Sequence, residues 1–103
     1  MVAARAGIAR SPLERALGFM FFTKIAEDDA RYFEGCSALH MLFVLTPLDI
    51  VFLERDGTVS EIHERVAPFR PAVVAREGYS ALELAPGRAA AADIRLGDTL
   101  RFV

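Results

Sequence analysis

Residues 46–62, TPLDIVFLERDGTVSEI, contain two runs rich in β-branched and aromatic residues on either side of an Asp-Gly pair. Asp-Gly in this setting is the strongest short-range hairpin signal, because both residues tolerate the positive φ that tight turns need. We therefore predict a core hairpin with strands at residues 48–54 and 58–64. Pro47 cannot donate to a β-ladder, so it marks the bend into the first strand.

The register of this hairpin follows from the length of its loop. A two-residue loop would place Asp49 opposite Glu64, where two carboxylates would repel each other. A three-residue loop of residues 55–57 avoids that repulsion and places Asp49 opposite His63. In this register Asp49, Glu61 and His63 lie on one face, and directly opposed residues are about 5 Å apart.

The segments before the hairpin give weaker signals. Residues 1–10 are small or basic, and we expect a flexible lead-in or one edge strand. Residues 11–14, Ser-Pro-Leu-Glu, have the pattern of a helix start, and the helix should end at Gly18. Residues 36–45 would place apolar side chains on both faces of a strand, which predicts a central strand.

The segments after the hairpin complete a β-rich pattern. Residues 64–78 form a long connection, which is either functional or a plain crossover between sheets. Residues 79–85 and 99–103 read as strands, with a short Ala-rich helix between them. The fold class predicted is mainly β: a single compact β-sandwich or barrel-like domain over residues 11–103, with two short helices, α+β at the margin.

Composition limits the classes of partner and compartment. The chain has 103 residues, 53% hydrophobic and 25% charged, which is enough to build a core in one domain. Its net charge of -2 provides no general attraction for nucleic acid or an anionic membrane. A single cysteine and the absence of a signal-peptide pattern predict a cytoplasmic protein, as a monomer or weak homodimer.

Several short motifs, in their order along the chain, are similar to those of a known family. They are Gly18-Phe19-Met20, Cys36 with His40, Pro47-Leu48-Asp49-Ile50-Val51-Phe52, Asp56-Gly57, Pro68-Phe69-Arg70, Leu82-Glu83-Leu84 and Gly97-Asp98. Over about residues 13–100 the chain resembles the bacterial and archaeal family catalogued as domain of unknown function 192. The resemblance implies a compact, mostly β fold with short helices and no established activity.

The chain also departs from the pattern of that family. Phe22 and Leu45 stand where many members have a basic residue, and Phe69 stands where tryptophan is expected beside Arg70. If the family pattern includes an anion contact at those basic positions, this chain has lost it.

Three polar side chains are candidates for catalysis: Asp49, His63 and His40. Residues four apart on a strand, such as Cys36 and His40, are about 13 Å apart, so they cannot share a metal ion. We expect no metal site and no cofactor. Asp49 and His63 would form an acid-base dyad, but an aspartate after a proline bend more often accepts hydrogen bonds from backbone amides.

Two functions remain open. The leading hypothesis is a non-catalytic binding or accessory module for a small ligand or protein segment, in which one sheet face and residues 64–78 form a shallow site. Its expected ligand contacts are Arg70, Glu61 and Phe69, although Arg70 would equally well anchor the loop to an acidic side chain. The alternative is a small metal-independent hydrolase or isomerase, with Asp49 and His63 as the dyad and Arg70 holding an anion.

Overall fold

The computed structural model describes residues 2–4, 7–8, 30–39, 41, 44–70 and 72–102. These residues form nine strands and one short helix. In chain order the elements are β1 (Val2–Ala4), β2 (Gly7–Ile8), β3 (Ala30–Phe33), β4 (Ala38–Leu39), β5 (Leu48–Leu53), β6 (Val59–Val66), β7 (Val73–Val74), β8 (Ser80–Leu84), α1 (Arg88–Ala91) and β9 (Leu100–Phe102). The mainly-β prediction is confirmed, whereas the helix predicted to start at Ser11 lies outside the described residues.

One five-stranded sheet organises the molecule, in the order β2-β3-β8-β5-β6. Strand β5 pairs antiparallel with both β6 and β8, and all six of its residues are buried. Two small sheets, β1-β9 and β4-β7, have two strands each. Because both faces of β5 are buried, nearly all of its side chains are apolar.

The two faces of the large sheet bury different sets of side chains. Face A is the side of Leu48, Ile50 and Phe52, and face B is the side of Asp49, Val51 and Leu53. Face A packs against Phe33, Met41, Val44, Val66, Val73, Ala75 and Ala81. Face B packs against Ala30, Val59, Leu82, Leu84, Ala89, Ile94 and Leu100.

The hairpin and its three-residue loop are confirmed. The Glu54 amide donates to the Thr58 carbonyl at 2.8 Å, which closes a loop of residues 55–57. Gly57 has φ +90°, the conformation that favours glycine. The Thr58 amide donates to Oδ1 of Asp56 at 2.9 Å, so the aspartate stabilises the turn.

The predicted register of the hairpin is correct at Glu54–Thr58 and Leu53–Val59 and wrong beyond these pairs. Leu53 lies opposite Val59, but Phe52 lies opposite Glu61, which leaves Ser60 as an extra residue in β6. The Ser60 hydroxyl donates to the Phe52 carbonyl at 3.1 Å. A β-bulge of this kind turns every following side chain to the other face.

A second irregularity follows at the far end of β6. His63 lies opposite Ile50 and Val66 opposite Leu48, so Glu64 and Arg65 together face the single residue Asp49. Arg65 has φ +50°, which is unusual for a residue with a side chain. The expected opposition of Asp49 and His63 therefore does not occur.

The prediction of a central strand over residues 36–45 is also wrong. Among the described residues of this stretch, only Ala38–Leu39 forms a strand, and it pairs with β7 outside the large sheet. The Met41 carbonyl accepts a hydrogen bond from the Val44 amide at 3.1 Å, so the chain turns here. Met41 and Val44 are apolar because their side chains pack on face A, not because they belong to a strand of the sheet.

The remaining elements agree with the pattern of the sequence. Strands β8 and β9 and helix α1 lie where they are predicted. In the stretch expected as a flexible lead-in, β1 pairs with β9 and β2 lies at one edge of the large sheet, which is the strand alternative. The long connection is shorter than expected, since β6 extends to Val66 and β7 interrupts the rest.

Candidate functional site

Asp49 is a buried carboxylate whose two oxygens are occupied by main-chain amides. Its side chain is 0% exposed on face B. Oδ1 accepts from the Arg65 amide at 2.9 Å, and Oδ2 accepts from the Ala89 amide at 2.9 Å. These donors belong to the second bulge of β6 and to α1, so one side chain connects three elements. Both buried oxygens of Asp49 therefore have a hydrogen-bond donor, and the role of this side chain is structural.

Glycine is favoured beside this connection. Gly87 precedes α1 with φ +83°, and the Arg65 guanidinium lies so close that an added Cβ would be 2.8 Å from its Nη2 atom. Any side chain at Gly87 would have to displace Arg65. The second bulge and the start of α1 therefore fit together at two points.

Glu61 and His63 form a polar pair on face A, near the sheet edge. Nε2 of His63 lies 3.0 Å from Oε1 of Glu61, and the Arg76 amide donates to Oε2 at 2.6 Å. The His63 ring meets the ring of Phe52 edge-on, with centroids 5.6 Å apart. The side chains are 29% and 25% exposed for His63 and Glu61, so the pair is accessible to solvent but held in place.

The electrostatics of the pair follow from these contacts. Burial raises the pKa of Glu61, but the hydrogen bonds from Arg76 and His63 outweigh it, so the pKa lies below the ordinary value of 4.5. Glu61 is therefore ionised at neutral pH and can only accept hydrogen bonds. In its neutral form His63 must then carry its proton on Nε2, which leaves Nδ1 as an acceptor.

The predicted dyad of Asp49 and His63 is wrong, because the two side chains lie on opposite faces of the sheet. The Ser60 bulge separates them, and Glu61 takes the position beside the imidazole. A signal for the bulge exists in the sequence. Val59 and Ile62 both pack on face B but are three residues apart, where a regular strand requires an even spacing.

Phe69 and Arg70 project from the turn that follows β6. The Phe69 amide donates to the Met41 carbonyl at 2.7 Å, and the Met41 amide donates to the Arg70 carbonyl at 2.8 Å. Phe69 has φ +63° and is 54% exposed. Arg70 is also exposed, and within the described part of the chain its guanidinium forms no ion pair with Glu61, Glu64 or another carboxylate.

Glu83 is a buried acidic residue to which the sequence analysis assigned no role. It is 3% exposed and lies in β8 opposite both Ile50 of β5 and Arg31 of β3. With Ile50 opposite His63, the ladder places Arg31, Glu83 and His63 in one row across face A. The signal was a charged residue in the middle of an otherwise apolar strand.

The cysteine and the metal prediction complete the list of candidates. The Cys36 thiol donates to the Ala38 carbonyl at 2.9 Å and is partly exposed. His40 lies outside the described residues. Over residues 30–39, 41, 44–70 and 72–102, the structure contains no group of three histidine, cysteine or acidic side chains arranged to hold a metal ion.

The five-stranded sheet and the two small sheets place the protein in a class of compact β-rich domains. A family model for domain of unknown function 192, described as an uncharacterized ACR, matches residues 2–102. The chain belongs to this family. No curated protein matches it.

Two solved structures have the same fold. One is a protein of unknown function from Novosphingobium aromaticivorans, with a TM-score of 0.83, 28% identity, and coverage of 93% of this chain and 73% of that one. The other is described as a "putative transcription regulator" from Sinorhizobium meliloti, with a TM-score of 0.82, 29% identity, and coverage of 91% and 78%. Among the described residues, no helix has the length and apolar character needed to cross a bilayer.

Proposed function

We propose that this protein is a non-catalytic binding or accessory module, and that Phe69 and Arg70 are its main ligand contacts. The ligand is a small molecule or a protein segment that carries a carboxylate or phosphate beside an aromatic or apolar group. Two observations together support the proposal. Phe69 is exposed and has a strained backbone conformation with positive φ, and the adjacent Arg70 has no ion-pair partner among the described residues.

The backbone of this turn supports a recognition role. A bulky residue with φ +63° is held at a cost of about 1–3 kcal/mol, and such strain is concentrated at functional sites. Two hydrogen bonds to Met41 fix the conformation. Because the turn is ordered before a ligand arrives, binding requires little further loss of conformational entropy.

The chemistry of the two side chains defines the ligand class. An arginine guanidinium donates two parallel hydrogen bonds to a carboxylate or phosphate, and an exposed phenyl ring offers an apolar surface beside it. The net charge of -2 gives no general attraction for nucleic acid, so we propose a small anionic ligand or a protein segment instead. The single cysteine is consistent with a cytoplasmic setting.

Asp49 supports the same conclusion from the other face. A catalytic carboxylate needs access to substrate, whereas both oxygens of Asp49 are buried and bonded to amides. This arrangement weighs against the hydrolase or isomerase alternative that relied on Asp49 and His63.

The test uses benzoate, which combines a carboxylate with a ring, and benzamide as its neutral counterpart. Both are titrated into the isotope-labelled protein, and backbone amide shifts are followed by NMR. We expect benzoate, and not benzamide, to shift the amides of residues 68–70. Arg70→Gln should abolish the shifts, and Phe69→Ala should weaken them.

Arg76→Gln is the matched control. It removes the same charge from an exposed position, and the contact of Arg76 with Glu61 survives because it uses the backbone amide. Binding should persist in this variant. Benzoate shifts that are equal in Arg70→Gln and wild type, or that do not occur at residues 68–70, would overturn the proposal.

A further inference from the structure

The Glu61–His63 pair holds an imidazole in a fixed position, and the proposed ligand site at Phe69 and Arg70 does not use it. The imidazole is held on two sides, by the carboxylate of Glu61 at 3.0 Å and by the edge-on ring of Phe52. Glu61 is itself fixed by the Arg76 amide. Among the described residues, no group occupies Nδ1 of His63, and the side chain is 29% exposed.

The carboxylate determines which nitrogen is available. Because ionised Glu61 accepts the Nε2 proton, neutral His63 presents the lone pair of Nδ1. A carboxylate that orients an imidazole and leaves its second nitrogen as a base is the arrangement found in acid-base sites. Holding Arg76 does not require His63, since the Arg76 amide contacts Oε2 of Glu61 and the imidazole contacts Oε1.

The charges around the pair select the ligand. The carboxylate of Glu61 lies 3.0 Å from the imidazole. Acidic side chains repel carboxylates and phosphates, and a lone pair on Nδ1 needs a donor. A neutral hydroxyl group meets both conditions.

We propose that His63 is the hydrogen-bond acceptor of a second site, which binds a neutral hydroxyl-bearing ligand through Nδ1. Glu61 is the positioning residue that fixes the tautomer. The ligand O–H donates a hydrogen bond to Nδ1. This site is independent of the Phe69–Arg70 turn and takes ligands of different charge.

The test measures the ring nitrogens of His63 by long-range nitrogen–proton NMR at a pH where the imidazole is neutral. We expect the proton on Nε2 in the wild type. Phenol is then titrated in, with anisole as the matched probe that keeps the ring and oxygen but lacks the donor. Phenol should shift the Nδ1 resonance of His63, and anisole should leave it unchanged.

Two variants separate positioning from general charge effects. Glu61→Gln should produce a mixture of tautomers and weaken the phenol shift. Glu64→Gln removes a carboxylate from an exposed position of the same strand. It should change neither the tautomer of His63 nor the shift that phenol causes. If Glu61→Gln does not fold, the wild-type tautomer and the phenol–anisole comparison still decide.

Three results would overturn the proposal. They are a proton on Nδ1 in the wild type, equal responses to phenol and anisole, and no response of Nδ1 to phenol. The last would leave the pair as a structural contact between β6 and the segment after β7. None of them affects the benzoate experiment, which is read from the amides of residues 68–70.

Discussion

Asp49 shows how one side chain can connect distant parts of this chain. Its carboxylate joins β5, on which it lies, to a bulge of β6 and to the first turn of α1. The sequence predicts a structural aspartate after Pro47, and the structure bears this out. The identity of the donors was not predictable, because Arg65 reaches Asp49 through a bulge and Ala89 comes from a distant segment.

We expect Asp49→Asn to lower the free energy of unfolding by about 1–3 kcal/mol. Asparagine keeps one acceptor but directs an NH₂ group at a main-chain N–H, so a buried donor is left unsatisfied. Urea denaturation measures the change. Asp98→Asn is the control, because Oδ2 of Asp98 also accepts a main-chain hydrogen bond, from Arg95, but at an exposed contact where water can replace it. Equal effects in the two variants would contradict the explanation.

Gly57 provides a second prediction at this scale, with an internal control. Gly57 and Gly97 have φ +90° and +88°, so alanine is strained at both by about 1–2 kcal/mol. An added Cβ at Gly57 would also lie 3.0 Å from the Leu100 carbonyl, whereas nothing lies within 4 Å at Gly97. Gly57→Ala should therefore destabilise more than Gly97→Ala, and Gly57→Val more again. Thermal unfolding tests the order, and a reversed order would refute it.

At the scale of elements, the Ser60 bulge decides which side chains meet. It places Glu61 and His63 on face A and keeps Val59 and Ile62 on face B. The turn at Gly57 was predictable because its signal is local. The register was less predictable, because charge repulsion favours a regular ladder, whereas the bulge shows only in the uneven spacing of Val59 and Ile62 on face B.

Ser60→Ala should cost about 1 kcal/mol, since it removes the hydroxyl that donates to the Phe52 carbonyl. Denaturant titration compares this variant with Ser37→Ala, where the carbonyl and not the hydroxyl accepts from Ala75. Deleting Ser60 removes the extra residue, so the rest of β6 should form a regular ladder in which Glu61 still lies opposite Phe52 and His63 opposite Ile50. Loss of the contact between the His63 and Phe52 rings in the deletion variant, measured by NMR, would show that Ser60 is not the extra residue of β6.

At the scale of the whole molecule, the sequence predicted a β-rich domain because hydrophobic content and turn signals are spread along the chain. It did not predict how the strands are ordered. The apolar run at residues 36–45 predicts a central strand, whereas Met41 and Val44 pack on face A. Packing of this kind depends on contacts between distant segments, which periodicity does not report.

The stability of the folded chain should fall at acid pH, partly through Glu61. Its pKa is below 4.5 in the folded state, so its contribution is fully present above that pH and is lost as the pH falls through the folded value. Stability curves of wild type and Glu61→Gln should therefore converge below about pH 4.5. The low pKa of Asp56 acts equally in both proteins and cancels in the comparison. Curves that stay parallel would contradict this role of Glu61.

The position of β8 between β3 and β5 has a consequence for how the chain folds. Both strands of the β5–β6 hairpin are synthesised before β8, so the hairpin can form during synthesis. Strands β3 and β5 are joined only through β8, so the sheet does not connect them until β8 emerges. Ala30 then pairs with Leu84, from the opposite half of the chain. Closing such distant pairs slows folding. On the ribosome, the backbone groups on one edge of the apolar strand β5 therefore stay unpaired until β8 is synthesised. The nascent chain is most prone to aggregation during this interval.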